Sequence, residues 1–359
     1  MPPLLKFIVR RMLTIPITFL VITAVLYGII MFTPAEQRAM LYFPSSAGAD
    51  RMSPEQMQRL IDRIIVAHGL DQPYPIQYVS WLGSMLRGEW GWSPVLRTQV
   101  LDYLVAHTPV TVELTLYSVL LFIPLGLVSG VQASRRRNRL PDHAFRLSAF
   151  TFTSIPPFIL GFMMMSFFYV GLRWFAPGRL GLAQEYIVES PAFKTFTGLL
   201  TIDGLLNGRL DIALDALKHL VMPVLTLSAF YWATLSRVTR ASMLEETNKE
   251  YIIAAEARGI PAHRIAWRHM LRNALVPALT SSGLAAASLI GGVYVVEVVF
   301  NLHGVSELFA GVAARSNVPD APSALGFAVY SVIAVLLVMF ILDVIQAIVD
   351  PRLRERLGA

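Results

Sequence analysis

The sequence predicts an all-α protein with six membrane-spanning helices and an extracytoplasmic domain inserted after the first of them. Of its 359 residues, 55% are hydrophobic and only 15% are charged, which is too apolar for an ordinary soluble protein. Six stretches lack Asp, Glu, Lys and Arg, and each is about long enough for a helix to cross a hydrocarbon core of about 30 Å. Backbone polar groups in lipid must bond within their own segment, so these stretches are expected to be helices. They lie between Arg11 and Glu36, Glu113 and Arg135, Arg146 and Arg173, Lys218 and Arg237, Arg272 and Glu297, and Asp320 and Asp343.

The first apolar stretch resembles a secretory signal peptide, because Lys6, Arg10 and Arg11 precede it. The apolar run continues to Phe32, however, which is longer than the usual core of a signal peptide. No small-x-small cleavage site follows it. The sequence therefore predicts a retained first span.

The distribution of basic residues predicts the orientation. Eighteen of the 30 Lys and Arg residues lie in the two terminal tails and in two loops, 135–146 and 237–272. Basic residues concentrate in short cytoplasmic segments of membrane proteins, so both termini and both loops are expected to be cytoplasmic. The net charge of +6 then reflects membrane topology, and no nucleic-acid motif accompanies it. The chain has no Cys, which excludes disulfides and thiolate sites.

The predicted organisation has four parts, the third of which contains a cytoplasmic loop and an outer segment. They are a cytoplasmic tail with the first span (1–33), an extracytoplasmic domain (34–108), five further spans (109–346) with a cytoplasmic loop (237–273) and an outer segment (174–218), and a second cytoplasmic tail (347–359).

Two helices are predicted within the outer domain. Ser53 suits a helix N-cap, Pro54 the first helical position and Gly69 the C-terminal end, so a helix is expected over 54–67. A second is expected over 75–86, where Tyr78, Trp81 and Leu82 recur at helical spacing. No element is predicted for 174–218.

Seven segments then give the chain a specific resemblance. They are HGLDQPYPIQYVSWLGSMLRGEWGWS (68–93), HTPVTVEL (107–114), SIPPFILG (154–161), HLVMP (219–223), EYIIAAEARGIPAHRIAWRHMLRNALVP (250–277), VVEVVFNLHGVSEL (295–308) and DPR (350–352). In this order they resemble the permease subunits of oligopeptide, dipeptide and nickel ABC importers, in particular the subunit with the larger outer domain. The chain departs from that family at 33–36, where family members usually have a Pro-Gly-Asp-Pro-like turn, and at 315–319, where they usually have Arg-Asp-Tyr-Pro. Ile253 replaces the Glu of the general importer motif, which peptide-class permeases often lack too.

The resemblance implies that loop 237–273 docks onto a cytoplasmic ATPase through two short helices joined at Gly259. Glycine permits the positive φ that a sharp change of direction requires. An amphipathic loop lying on anionic lipid is the alternative interpretation. The expected docking residues are Ala254, Ala255, Arg258, Gly259, Ile260, Arg264, Ile265 and Arg268.

Further residues are candidates for the transport pathway, each with a purely structural alternative. Glu113 lies in the first turns of the predicted second span, where a carboxylate also stabilises a helix N-terminus. Pro156 and Pro157 interrupt hydrogen bonding in the third span, and Phe158 beside them is a candidate gate. Glu297, at the end of the fifth span, is a candidate for the gate or for contact with a binding protein.

Two sets of residues are candidates for contact with other proteins. A ridge of small residues on the fifth span, Gly283, Ala287 and Gly291, permits close packing against a second permease or within this subunit. Trp90 and Trp92 are expected to face a docked binding protein or, alternatively, to hold the outer domain against the membrane.

The sequence contains no catalytic signature. It has no GxxxxGK[ST] phosphate-binding loop, and its seven His residues show no HExxH or other metal-ligand spacing. No metal or cofactor is therefore expected in this chain. The resemblance implies ATP and magnesium in partner subunits.

The implied partners are a second homologous permease, two ATP-binding subunits, an extracytoplasmic substrate-binding protein and the lipid bilayer of the inner membrane. Peptides are the expected cargo, with oligosaccharides or nickel as alternatives. An ion-coupled secondary transporter is the alternative of a different class. It would need charges within the spans and usually an inverted repeat, and neither is visible in the sequence.

Overall fold

The computed structural model describes residues 3–42, 52–93, 95–309 and 320–349. The all-α class is confirmed, because the β structure in these ranges is one antiparallel pair, β1 (Trp92–Ser93) with β2 (Thr98–Gln99). The helices are α1 (Pro3–Ile30), α2 (Ala35–Ala39), α3 (Pro54–His68), α4 (Tyr74–Leu86), α5 (Val100–Arg135), α6 (Leu140–Ser154), α7 (Pro157–Met164), α8 (Leu182–Val188), α9 (Leu200–Leu206), α10 (Leu210–Glu246), α11 (Glu250–Ala257), α12 (Ala262–Arg264), α13 (Leu271–Phe300) and α14 (Ala321–Val349). A 3₁₀ turn (Met40–Tyr42) and two π-helical segments (Met165–Gly171 and Ile265–Met270) are also present.

Four of these helices, α1, α5, α10 and α14, are long and apolar enough to cross a membrane. Helix α6 and the unit formed by α7 with its π-helical extension make a fifth candidate, bent by 101°. Helix α13 covers the sixth predicted stretch, between Arg272 and Glu297. Its segment Ser288–Phe300 is apolar but shorter than a full membrane span. The count of six spans therefore remains a prediction.

The chain divides into two compact units. The first unit comprises residues 1–10, 110–302 and 337–359, and the second comprises 11–109 and 303–336. The boundaries fall within α1, α5 and α14, so each of these three helices contributes residues to both units.

Helix α10 forms the centre of the first unit, where it packs against α6, α7, α9 and α13. Its buried side chains continue around the helix, as expected for a helix enclosed by neighbours. Helix α5 also approaches it closely, because Gly126 and Gly130 leave room for Leu235 and Thr239. Small residues four apart permit such contact between helix backbones.

A buried ion pair fixes α6 to α10 near their charged ends. Asp142 is fully buried, and its carboxylate accepts two hydrogen bonds from the Arg240 guanidinium, at 2.7 and 2.8 Å. It also accepts one from the Asn138 backbone N–H. The paired geometry satisfies a charge that would be costly to bury alone.

In the second unit, both predicted outer helices are present. Helix α3 begins after Ser53, whose hydroxyl accepts from the Gln56 N–H while the Gln56 side chain accepts from the Ser53 N–H. It ends at Gly69, whose φ of 60° lies in the left-handed region that glycine favours. Helix α4 packs its aromatic residues against α1, and Trp81 stacks on Tyr27 with ring centres 5.1 Å apart.

The close approach between α5 and α10 generates a testable prediction. At Gly130 an added Cβ would lie 2.7 Å from both the Ser236 carbonyl oxygen and the Thr239 Cβ. At Gly291 an added Cβ would meet nothing within 4 Å. Gly130→Ala should destabilise the subunit by about 1–3 kcal/mol, as overpacking does. Gly291→Ala should be neutral or stabilising, because alanine favours helices.

Thermal unfolding of the two purified variants in detergent measures this difference. Equal midpoints would contradict the close contact at Gly130.

Candidate functional site

The cytoplasmic loop predicted from the sequence folds as two short helical segments that meet at Gly259. Helix α11 ends before it, and the Gly259 and Ile260 N–H groups bond back to the carbonyls of Glu256 and Ala255, at 2.8 and 3.2 Å. This is the hydrogen-bond pattern of a Schellman motif, and it requires the positive φ of 71° found at Gly259. Helix α12 and the π-helix 265–270 then lead directly into α13.

One face of this loop is buried within the chain. The loop's own buried residues pack against Val131 of α5 and Met243 of α10. They are Ile252, Ala255, Ile265, Ala266 and Met270.

This burial concerns two of the expected docking residues. Ala255 and Ile265 are only 7% and 3% exposed, so they pack mainly against their own subunit, and their contact with a partner remains a prediction. The sequence indicated an apolar face but did not indicate that α5 and α10 would cover it.

The opposite face is open. Ala254, Arg258, Arg264 and Arg268 are exposed, and Ile260 is half-buried. Two apolar residues that the sequence did not single out, Ile253 and Trp267, are 58% and 38% exposed. The sequence did contain a sign that Ile253 would be exposed. Ile252 and Ile253 are adjacent, and a helix cannot bury two adjacent residues on the same face. The loop thus presents apolar and cationic groups together.

Tyr251 braces the base of the loop. Its hydroxyl donates to the Glu246 carboxylate at the end of α10 and accepts from the Asn273 side-chain amide at the start of α13, 2.9 Å away. Burial raises the pKa of Tyr251, and the bond to Glu246 adds to the rise. The hydroxyl therefore stays protonated at neutral pH and links three helices.

Glu113 was expected in the first turns of its helix, but the structure places it elsewhere. Helix α5 begins at Val100, so Glu113 lies well inside it and is buried. Its carboxylate accepts from the Thr201 N–H at 2.9 Å, the Thr201 hydroxyl at 2.6 Å and the Arg179 guanidinium at 3.1 Å. It therefore caps the N-terminus of α9, which has no side-chain cap of its own.

Glu297 is also buried, in the last turns of α13. The Thr111 hydroxyl donates to its carboxylate across 2.5 Å. This contact joins α13 to α5.

The predicted kink at Pro156 and Pro157 is present as the 101° bend between α6 and α7. Phe158 directly after it is 44% exposed. Its role as a gate remains a prediction.

Gly283 and Ala287 lie in α13, but their surroundings fall outside the described residues, whereas Gly291 faces open space. Trp90 and Trp92 are half-buried, and Trp90 packs against the cluster around Tyr27 and Trp81. Contact of these residues with other proteins remains a prediction.

Over the described ranges, no three His, Asp or Glu side chains are placed to hold a metal ion.

The capping role of Glu113 is testable. Glu113→Ala leaves Arg179 and the α9 N-terminus without their shared acceptor. The variant should lose about 3 kcal/mol of unfolding free energy. This is the low end of the range for a broken buried pair, because Arg179 is partly exposed. Glu113→Gln keeps an acceptor for Thr201 and should cost less. Exposed Glu189→Ala is the matched control and should have no measurable effect.

Thermal unfolding of the three variants provides the comparison. Full stability of Glu113→Ala combined with loss of transport would instead favour a role at the pathway mouth.

Comparisons with known proteins address the chain as a whole. The family described as binding-protein-dependent transport system inner membrane component matches residues 122–355. The corresponding N-terminal family matches residues 4–115.

Relatives match over nearly the whole chain. The di/tripeptide transport system permease DppB of Pseudomonas aeruginosa is 30% identical over 98% of this chain and 100% of its own length. The oligopeptide transport system permease AppB of Bacillus subtilis is 32% identical over 97% of this chain and 98% of its own. The probable D,D-dipeptide permease DdpB of Escherichia coli is 33% identical over 82% and 84%, respectively.

Both family matches, the near full-length similarity and the apolar helices agree with one another. The chain therefore belongs to the family of inner-membrane components of binding-protein-dependent transport systems.

Proposed function

We propose that this multi-pass inner-membrane protein is the channel-forming subunit of an ATP-driven importer of peptides. The observation that carries the proposal is the match to the transport family, together with a protruding, braced helical loop. Peptides are the favoured cargo because the relatives described above are named for peptide transport. Family membership argues against the ion-coupled alternative.

The open face of the loop supports docking to an ATPase subunit. Ile253 and Trp267 supply apolar area, and Arg258, Arg264 and Arg268 supply charge that acidic groups of a partner can pair. Interfaces are enriched in aromatic residues and Arg, which fits this combination. ATP and magnesium would be bound by the docked subunits.

The way the loop is attached suggests how movement of a docked ATPase is transmitted to the membrane-spanning helices. Its inner face is packed on α5 and α10, and it continues without a break into α13. A displacement of the loop would therefore move the ends of three long helices together. Close-packed interiors transmit such displacements because they deform little.

The complete importer would contain a second homologous permease, two ATPases and an extracytoplasmic binding protein. The exposed side of α13 at Gly291 suits close packing against the second permease. Trp90 and Trp92 are the candidates for contact with the binding protein. Tyr74, Tyr78 and Trp81 are already engaged within the second unit.

Reconstitution tests the proposed function. In proteoliposomes containing both permeases, the ATPases and the binding protein, di- or tripeptide uptake should require ATP and magnesium. It should persist when ionophores collapse ion gradients. Uptake that follows an ion gradient without nucleotide would contradict the proposal.

The turn at Gly259 provides a test of coupling. Its φ of 71° is open to Asn at small cost, less favourable for Ala and closed to Pro, which fixes φ near −65°. An added Cβ meets nothing within 4 Å, so any effect comes from backbone conformation. Peptide-stimulated ATP hydrolysis should fall in the order Gly259, Asn, Ala, Pro, while membrane insertion is retained.

A loss of insertion in Gly259→Pro would show that the turn is needed for folding instead. Equal stimulation of ATP hydrolysis in all four proteins would show that the turn at Gly259 has no part in coupling.

The proposed orientation is open to thiol labelling, since the native chain has no Cys. Ala183 and Ala262 are both exposed, in the outer segment and in the cytoplasmic loop, respectively. A membrane-impermeant reagent should label Ala183→Cys in intact cells and Ala262→Cys only after permeabilisation. The reverse labelling pattern would show that the chain has the opposite orientation in the membrane.

A further inference from the structure

A cavity of about 470 Å³ opens where the π-helix 165–171 ends beside the first turns of α10. Its lining combines two cations, Arg173 and Lys218, with the aromatic side chains of Tyr169 and Trp174. His219 closes its inner end and is buried. These residues all belong to the first compact unit.

The two cations have no counter-charge within the described ranges. Arg173 and Lys218 are exposed, and neither side chain forms a hydrogen bond or ion pair with another described residue. The nearest acid along α10, Asp215, is already engaged. Its carboxylate accepts from the Gly181 N–H at 2.7 Å and lies 3.5 Å from Nδ1 of His219. The cavity therefore carries excess positive charge.

The position of the two cations places the cavity at a membrane boundary. Arg173 ends one charge-free stretch and Lys218 begins the next, so the segment between them returns to the same side of the membrane. Trp and Tyr favour this level because their rings have both apolar and polar parts. Val170, three residues before Arg173 and therefore on its membrane side, lines the cavity and is 68% exposed.

The backbone at Arg173 adopts an unusual conformation. Its φ is 57°, in the left-handed region that an unbranched side chain such as Arg rarely occupies and glycine occupies readily. A π-helical segment directly precedes it, and such segments are frequent at functional sites. A strained position that keeps a charged side chain indicates a use for the charge.

We propose that this cavity binds the phosphate-containing headgroup of an anionic phospholipid. Arg173 and Lys218 pair with the phosphate, Tyr169 and Trp174 flank the headgroup, and the acyl chains lie on the apolar surface that begins at Val170. The bound lipid supplies the negative charge that the cavity lacks. It also holds the outer ends of the third and fourth spans together.

Lipid titration of the purified full-length subunit tests the proposal. Native mass spectrometry in a neutral detergent would compare retention of phosphatidylglycerol with that of phosphatidylcholine. Each cation near an anionic headgroup contributes about fivefold in affinity, so Arg173→Gln/Lys218→Gln should bind phosphatidylglycerol about 25-fold more weakly. Exposed Lys194→Gln, in the same outer segment, should bind as the unaltered protein does.

Arg173→Gly provides a variant that keeps the fold, because glycine relieves the positive φ. It should raise or maintain the unfolding temperature in lipid-free detergent and still lose about fivefold in phosphatidylglycerol affinity. A purely structural Arg173 would leave lipid affinity unchanged in this variant.

Two results would overturn the proposal. One is equal retention of phosphatidylglycerol and phosphatidylcholine by the unaltered protein. The other is displacement of phosphatidylglycerol by millimolar inorganic phosphate, which would identify a site for a soluble anion in place of a lipid.

Discussion

The apolar contact between the inner face of the loop and the ends of helices α5 and α10 is the interaction on which the proposed mechanism depends. Val131, Met243, Ile252 and Ile265 meet in one buried cluster, so four helical segments share a single small core. Without this contact the segment 250–270 would be joined to the helices only through the chain, and a displacement of its surface would not be transmitted to α5 and α10. With it, the loop is packed on α10 and continues without a break into α13. Tyr251 adds a polar link between the same helices, through Glu246 and Asn273.

Buried acidic side chains provide a second set of links within the first unit. Asp142 joins α6 to α10, Glu113 joins α5 to α9, and Glu297 joins α5 to α13. Each carboxylate has donors within hydrogen-bond distance, which a charge in a low-dielectric interior requires. Acidic residues near membrane spans invite a functional interpretation. Here their geometry accounts for at least part of their presence, since each one fixes a contact between helices.

Residues whose roles are decided by nearby sequence were predicted well. The ends of α3 follow from Ser53 and Gly69, and the turn at Gly259 follows from the need for positive φ. Each of these depends on interactions within a few residues, which a single sequence contains.

Features decided by distant contacts were not predicted. Helix α5 begins at Val100 because Val100 and Leu104 are buried in the second unit, although Asp102 interrupts the apolar pattern. Helix α9 is stabilised by Glu113, 88 residues away. Helical periodicity identified the apolar face of the loop. It could not tell whether that face, which includes Ala255 and Ile265, is covered by the same chain or by another protein.

Rigid attachment of the loop is the central claim, and a distance measurement between two spin labels tests it most directly. Labels at Ala262→Cys in the loop and Leu225→Cys in the middle of α10 are both exposed, and this chain has no native Cys of its own. In the assembled importer, pulsed electron paramagnetic resonance should give one narrow distance distribution that is the same without nucleotide and with bound ATP. A distribution that broadens or shifts by several ångströms between the two states would show that the loop moves independently of α10, and would contradict the account.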